Sequence, residues 1–189
     1  MKNKEPIESR LKRVEMHTYF IEKIEAAMEN GNYITASWLI YSCLENRYFR
    51  TLEKYREKCK YCRSSRSKGK CNKKRKNELA LTTKIKCVQR LHENSVSCIN
   101  QSFRYELFQE TIQWVKARND LMHDLLSLEF YENTDEMFKK SAEIGKKLLD
   151  ETYSSCTKFR EAFFKENYEF QFPEAAMDGC SCKPKEKEE

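Results

Sequence analysis

The chain has 189 residues with a net charge of +6, a length that suits a single domain with a buried core. Only four Gly and three Pro accompany 35% charged residues, which favours an all-α architecture. The sequence contains no run of 18 apolar residues, so it predicts no membrane span. The first ten residues lack the apolar centre of a signal peptide. The expected location is therefore cytoplasmic.

The first helix is predicted over residues 7–29. Apolar residues recur there at three- and four-residue steps, the spacing of an amphipathic helix. Pro6 suits a helix start, and Asn30 with Gly31 provides a stop signal.

A second helix is predicted over residues 33–58. Its broad apolar face is expected to be central to the core, and consists of Ile34, Trp38, Tyr41, Leu44, Tyr48 and Leu52. Glu45, Arg47 and Arg50 interrupt this run. They fit a solvated face with helical ion pairs better than a site.

Residues 58–77 form a predicted basic loop inserted into the helical domain, because apolar periodicity stops there. The segment holds ten basic residues and no acidic residue, so the remainder of the chain carries a net charge of −4. Such a block suits a polyanion such as RNA, although a solvated loop is the alternative. The candidate nucleic-acid-binding residues are Lys60, Arg63, Arg66, Lys68, Lys70, Lys73, Lys74, Arg75 and Lys76.

The chain contains nine cysteines, an odd number that disfavours a disulfide framework. Cys59, Cys62 and Cys71 lie in the basic loop with a CxxC spacing that suits a structural zinc ion. Free thiols are the alternative. The sequence does not choose the fourth ligand, for which the candidates are Cys87, His92, Cys180 and Cys182.

Three further helices are predicted, over residues 78–92, 99–128 and 134–166. Thr134, Asp135 and Glu136 mark the start of the last one, since acidic residues favour the first turn of a helix. Residues 1–170 are therefore predicted to form one helical domain, with residues 171–189 as a C-terminal tail.

The most informative motif lies in the helix predicted over residues 99–128. The six residues R-N-D-L-M-H contain Arg118, Asn119 and His123. On a helix Asn119 and His123 share a face, whereas Arg118 lies about 140° around the axis from His123. One helix alone therefore splays the guanidinium and the imidazole apart.

This motif, an Arg followed by a polar residue and then by a His a few positions later, resembles that of the HEPN superfamily. The predicted order of helices around the motif is also similar to that family. The resemblance implies an all-α, HEPN-like bundle of four to five helices, usually a homodimer in which two motif helices face each other. Arg118 of one copy would then lie near His123 of the other.

The resemblance implies a metal-independent endoribonuclease of a toxin–antitoxin, defence or RNA-processing system, with no cofactor for catalysis. The expected catalytic residues are Arg118, Asn119 and His123. Imidazole is the side chain that exchanges protons near neutral pH, and a guanidinium offers a permanent cation for phosphoryl oxygens. Attack by the ribose 2′-OH would give a 2′,3′-cyclic phosphate.

Two alternatives remain open. Some HEPN domains are non-catalytic modules that bind a nucleotide or a partner protein, such as a cognate nucleotidyltransferase or antitoxin. A zinc-stabilised nucleic-acid-binding adaptor, in which the R-N-D-L-M-H motif is incidental, belongs to a different class. Asp120 and Asp124 place negative charge beside the proposed phosphate site, a feature that disfavours a nuclease.

Overall fold

The computed structural model describes residues 7–58, 80–93, 97–125 and 133–165. These residues are all-α, as predicted. Five long helices and one helix of a single turn cover them. They are α1 (Ile7–Glu29), α2 (Tyr33–Lys58), α3 (Leu81–Glu93), α4 (Ser97–Asn100), α5 (Tyr105–Asp124) and α6 (Thr134–Lys165).

The turn between α1 and α2 has the geometry that its sequence indicates. Gly31 adopts a positive φ of 70°, and the backbone N–H of Asn32 donates to the carbonyl of Ala27 at 2.7 Å. The side chain of Asn32 then accepts a hydrogen bond from the backbone N–H of Thr35, which caps α2. The predicted bounds of both helices are confirmed.

The helix predicted over residues 99–128 is interrupted, and this prediction is corrected. Its first turn is the separate α4, and Arg104 adopts an extended backbone (φ −76°, ψ 147°) before α5 begins at Tyr105. The side chain of Arg104 donates hydrogen bonds to the carboxylates of Glu110 on α5 and Glu151 on α6. This three-residue cluster joins the start of α5 to α6.

Helix α2 lies at the centre of the bundle and packs along α6 in parallel. The guanidinium carbon of Arg47 lies 3.9 Å from the centre of the Tyr153 ring. One turn later on both helices, Thr51 Oγ1 lies 3.6 Å from Cys156 Sγ. Helix α5 runs antiparallel to α2, because Phe108 packs on Tyr48 while Arg118 lies near the start of α2. This arrangement places the R-N-D-L-M-H motif beside the first turns of α2.

The predicted apolar face of α2 is buried at Leu44, Tyr48 and Leu52, whereas Ile34 and Tyr41 are half-buried. The expectation for Trp38 is wrong, because its side chain is 52% exposed. It lies at the edge of the buried stripe, where the neighbouring side chain on α5 is a polar arginine.

The prediction of a solvated face with helical ion pairs holds for Arg50 alone, because Arg47 is half-buried and lies over the ring of Tyr153 on α6. Arg50 pairs with Glu53 at 2.7 Å within α2. Glu45 instead accepts from Lys84 Nζ of α3 at 2.7 Å. The Lys84 side chain is only 4% exposed, so this ion pair is part of the packing between α2 and α3.

Candidate functional site

Arg118 is buried between helices α5 and α2. Only 5% of the residue is exposed, and its guanidinium carbon lies 4.6 Å from the centre of the Trp38 ring and 5.0 Å from that of Tyr41. Both distances fall within the range of cation–π contact. The two aromatic residues are three apart on α2, so one helical face presents both rings to the same cation.

One hydrogen bond connects Arg118 to the next residue of the motif. Its Nη1 donates to Asn119 Oδ1 at 3.0 Å. The Nε and Nη2 groups of Arg118 are buried and have no hydrogen-bond partner among the described residues. A buried donor without an acceptor is costly, and more so on a charged group.

Burial lowers the pKa of the Arg118 guanidinium below its ordinary value, while the Coulombic influence of Tyr41 acts in the opposite direction. A guanidinium nevertheless stays protonated throughout the physiological range. The site therefore contains a permanent positive charge that is largely removed from water.

His123 lies one helical turn beyond Asn119 and is exposed to solvent. No hydrogen bond joins it to Arg118 or Asn119, and Asp120 and Asp124 beside it are also exposed. Within one chain, the structure thus brings Arg118 and Asn119 together and leaves His123 apart. The splay that helical spacing predicts between Arg118 and His123 is present in the fold.

Two aromatic residues of this site were not identified from the sequence. The sequence pattern assigned Trp38 and Tyr41 to an apolar core face. Their spacing gives no indication that they contact Arg118. A weak signal existed in their chemistry. Indole and phenol rings tolerate partial exposure and stack on guanidinium groups more readily than aliphatic side chains do.

The predicted basic loop and zinc cluster lie outside the described residues, except for Lys58 at the end of α2. This applies to the nine basic candidates and to Cys59, Cys62 and Cys71, as well as to Cys180 and Cys182. Of the suggested fourth ligands, Cys87 is half-buried with a free thiol. His92 Nε2 lies 3.1 Å from the carbonyl oxygen of Phe103.

Within residues 7–58, 80–93, 97–125 and 133–165, no three His, Cys, Asp or Glu side chains are grouped to hold a metal ion. None of the helices in these ranges is long and apolar enough to cross a membrane. The chain matches no protein-family model, no curated protein and no solved structure at a significant level of similarity.

Proposed function

We propose that the chain is an HEPN-like, metal-independent endoribonuclease in which His123 transfers the proton and Asn119 binds the scissile phosphate. The observation that supports this most is the hydrogen bond from buried Arg118 to Asn119 Oδ1. This bond uses the amide oxygen of Asn119 and not its NH₂ group. The NH₂ group can therefore donate to a phosphoryl oxygen. Asn119 and His123 share one face of α5, so donor and imidazole would address the same phosphodiester.

In the proposed reaction, a neutral imidazole of His123 accepts the proton of the ribose 2′-OH. The O2′–P bond forms while the P–O5′ bond breaks, and the departing 5′-oxygen takes a proton from a protonated imidazole. A second copy of His123 would supply that proton in the homodimer that the family resemblance implies. The products are a 2′,3′-cyclic phosphate and a 5′-hydroxyl.

Arg118 has a different role here from the direct phosphate contact that the resemblance implies. Its guanidinium is covered by Trp38 and Tyr41, and one of its N–H groups is directed at Asn119. Arg118 therefore acts as a positioning residue that orients the amide. Its charge also favours a phosphate nearby, since Coulombic interactions are stronger where water is excluded.

A non-catalytic binding module is the second candidate, and the burial of Arg118 favours it. A catalytic cation that stabilises a transition state should reach the phosphoryl oxygens, whereas this guanidinium is 5% exposed. In such a module the same face would hold a nucleotide or an RNA segment without cleaving it. The two candidates differ in whether the chain cleaves RNA or only binds it.

The deciding experiment measures cleavage of a labelled single-stranded RNA by the full chain and by His123→Ala. The proposal predicts that His123→Ala abolishes cleavage and that the wild-type products carry 2′,3′-cyclic phosphates. EDTA should leave the rate unchanged because no step uses a metal. The control is Gln113→Ala, a substitution at an exposed position elsewhere on α5. If purified His123→Ala cleaves RNA as fast as Gln113→Ala, His123 has no part in the mechanism.

The positioning role of Arg118 has its own test. Arg118→Lys keeps the charge but loses the planar fork, so we expect a lower kcat with an unchanged helical signal. If Arg118 acts through Asn119, the double variant with Asn119→Ala should lose no more activity than the worse single variant. Additive losses would show that the two residues act independently.

A further inference from the structure

We infer that Trp38 is a base-stacking platform at this site, on which a nucleobase of single-stranded RNA lies against the solvent side of the indole. This inference rests on the proposed RNA-directed function and adds the contact that holds the substrate. It follows from the position of Trp38 between a buried cation and solvent.

The indole has contrasting environments on its two sides. Arg118 lies 4.6 Å from the ring centre, yet 52% of Trp38 remains exposed. The other tryptophan, Trp114, is 4% exposed and donates from Nε1 to the carbonyl of Ser141 at 2.8 Å. About half of Trp38 therefore stays in contact with solvent, where its ring surface is available to another flat group.

The contact with Arg118 limits the motion of this ring. A flexible side chain loses conformational freedom when it binds a ligand, and a ring already held by a cation loses less. Every nucleobase has a π face, so stacking on indole contributes to binding without strong sequence preference.

The platform is also connected through Arg118 to Asn119, one of the residues of the proposed reaction. Trp38 contacts Arg118, which donates to Asn119, and His123 follows Arg118 by about 7.5 Å along the helix axis. We place the phosphate of the stacked nucleotide against Asn119, the residue bonded to Arg118, on the face of α5 that Asn119 shares with His123. The recognised ligand is an unpaired nucleotide within RNA, since a base inside a duplex has no free face.

The test measures binding of a labelled single-stranded RNA oligonucleotide in a His123→Ala background, where cleavage does not consume the probe. Replacing Trp38 with Leu should raise Kd about tenfold, the loss expected when one stacked base loses its aromatic partner. Replacing it with Phe should restore part of the affinity. The Leu variant should keep the salt dependence of binding, because stacking releases no counterions.

Tyr19 offers a matched control on α1. It is also 52% exposed and also lies beneath a cation, with Lys23 Nζ 5.3 Å from its ring centre. Tyr19→Leu should therefore leave Kd unchanged. RNA should also quench the emission of exposed Trp38, and a Trp38→Phe chain that retains only buried Trp114 should show no quenching.

The outcomes separate this inference from the proposed function. Equal affinity of the Trp38→Leu and parent chains, with RNA cleavage by the wild type, would overturn the stacking role alone. Equal losses in Trp38→Leu and Tyr19→Leu would do the same. No binding of RNA by any chain, with no cleavage by the wild type, would overturn both.

Discussion

The indole of Trp114 lies directly against Gly145, so that a Cβ atom at position 145 would be 2.5 Å from Trp114 Cζ2. Glycine in a helix ordinarily costs stability relative to alanine. Glycine is required at position 145 because α5 and α6 approach each other closely there. Next to this contact, Trp114 Nε1 donates a hydrogen bond to the carbonyl oxygen of Ser141.

Replacing Gly145 with Ala is therefore expected to destabilise the protein by about 1–3 kcal/mol, because overpacking outweighs the gain in helix propensity. Thermal or urea unfolding measures the change. Ser154→Ala, at an exposed position of the same helix, should have little effect. A Gly145→Ala protein that is more stable than the parent would contradict the close approach of the two helices.

The ion pair between Lys84 and Glu45 leads to a second prediction. Lys84 is 4% exposed, whereas Glu45 keeps 36% of its side chain in solvent. Glu45→Gln should cost about 1–3 kcal/mol of unfolding free energy, because it leaves a buried ammonium group without its counter-charge. Lys84→Met should cost less, since it removes the buried charge itself.

The exposed pair of Lys140 and Glu136, with side chains 69% and 65% exposed, is the control for this comparison. Glu136→Gln should change the unfolding free energy by at most about 0.5 kcal/mol. Equal effects of Glu45→Gln and Glu136→Gln in denaturant titrations would show that burial does not strengthen the Lys84 pair.

The cluster around Arg104 predicts how stability depends on pH. Hydrogen bonding to Arg104 is the main cause that holds the pKa of Glu110 below its ordinary value. A carboxylate with a depressed folded-state pKa stabilises the fold above its unfolded-state pKa of about 4.3, and this contribution disappears as pH falls.

Glu110→Gln should therefore lower Tm at pH 7, and the difference from the parent should shrink as the pH falls to about 3. Differential scanning calorimetry across this range measures it. Glu143→Gln, at an exposed position of α6, serves as the reference variant. A difference in Tm that stays constant with pH would mean that the Glu110 charge does not contribute.

Two thiols between α2 and α6 should resist alkylation. Burial is the main cause that raises the pKa of both Cys43 and Cys156, and the reactive species is the thiolate. Iodoacetamide at pH 8 should modify half-buried Cys87 before either of them, as followed by peptide-resolved mass spectrometry. Alkylation of Cys156 as fast as Cys87 in the folded protein would contradict this packing.

The sequence predicted the helical class and the bounds of α1 and α2, because local signals such as Gly31 determine where a helix stops. It also predicted that Arg118 and His123 diverge, since that follows from helical geometry alone. It did not predict the break at Arg104, whose side chain pairs with Glu151, a carboxylate 47 residues further along the chain. The position of Trp38 over Arg118 was equally inaccessible, because spacing within a helix does not identify which residue of another helix lies opposite.

The parallel packing of α2 and α6 affects how the chain acquires its structure during synthesis. Arg47 and Thr51 emerge from the ribosome about a hundred residues before their partners Tyr153 and Cys156. The inner face of α2 therefore stays incompletely covered until the last helix is made, and such long-range contacts slow folding. A nascent chain stalled before residue 134 should thus remain sensitive to proteases, and release of α6 should confer resistance.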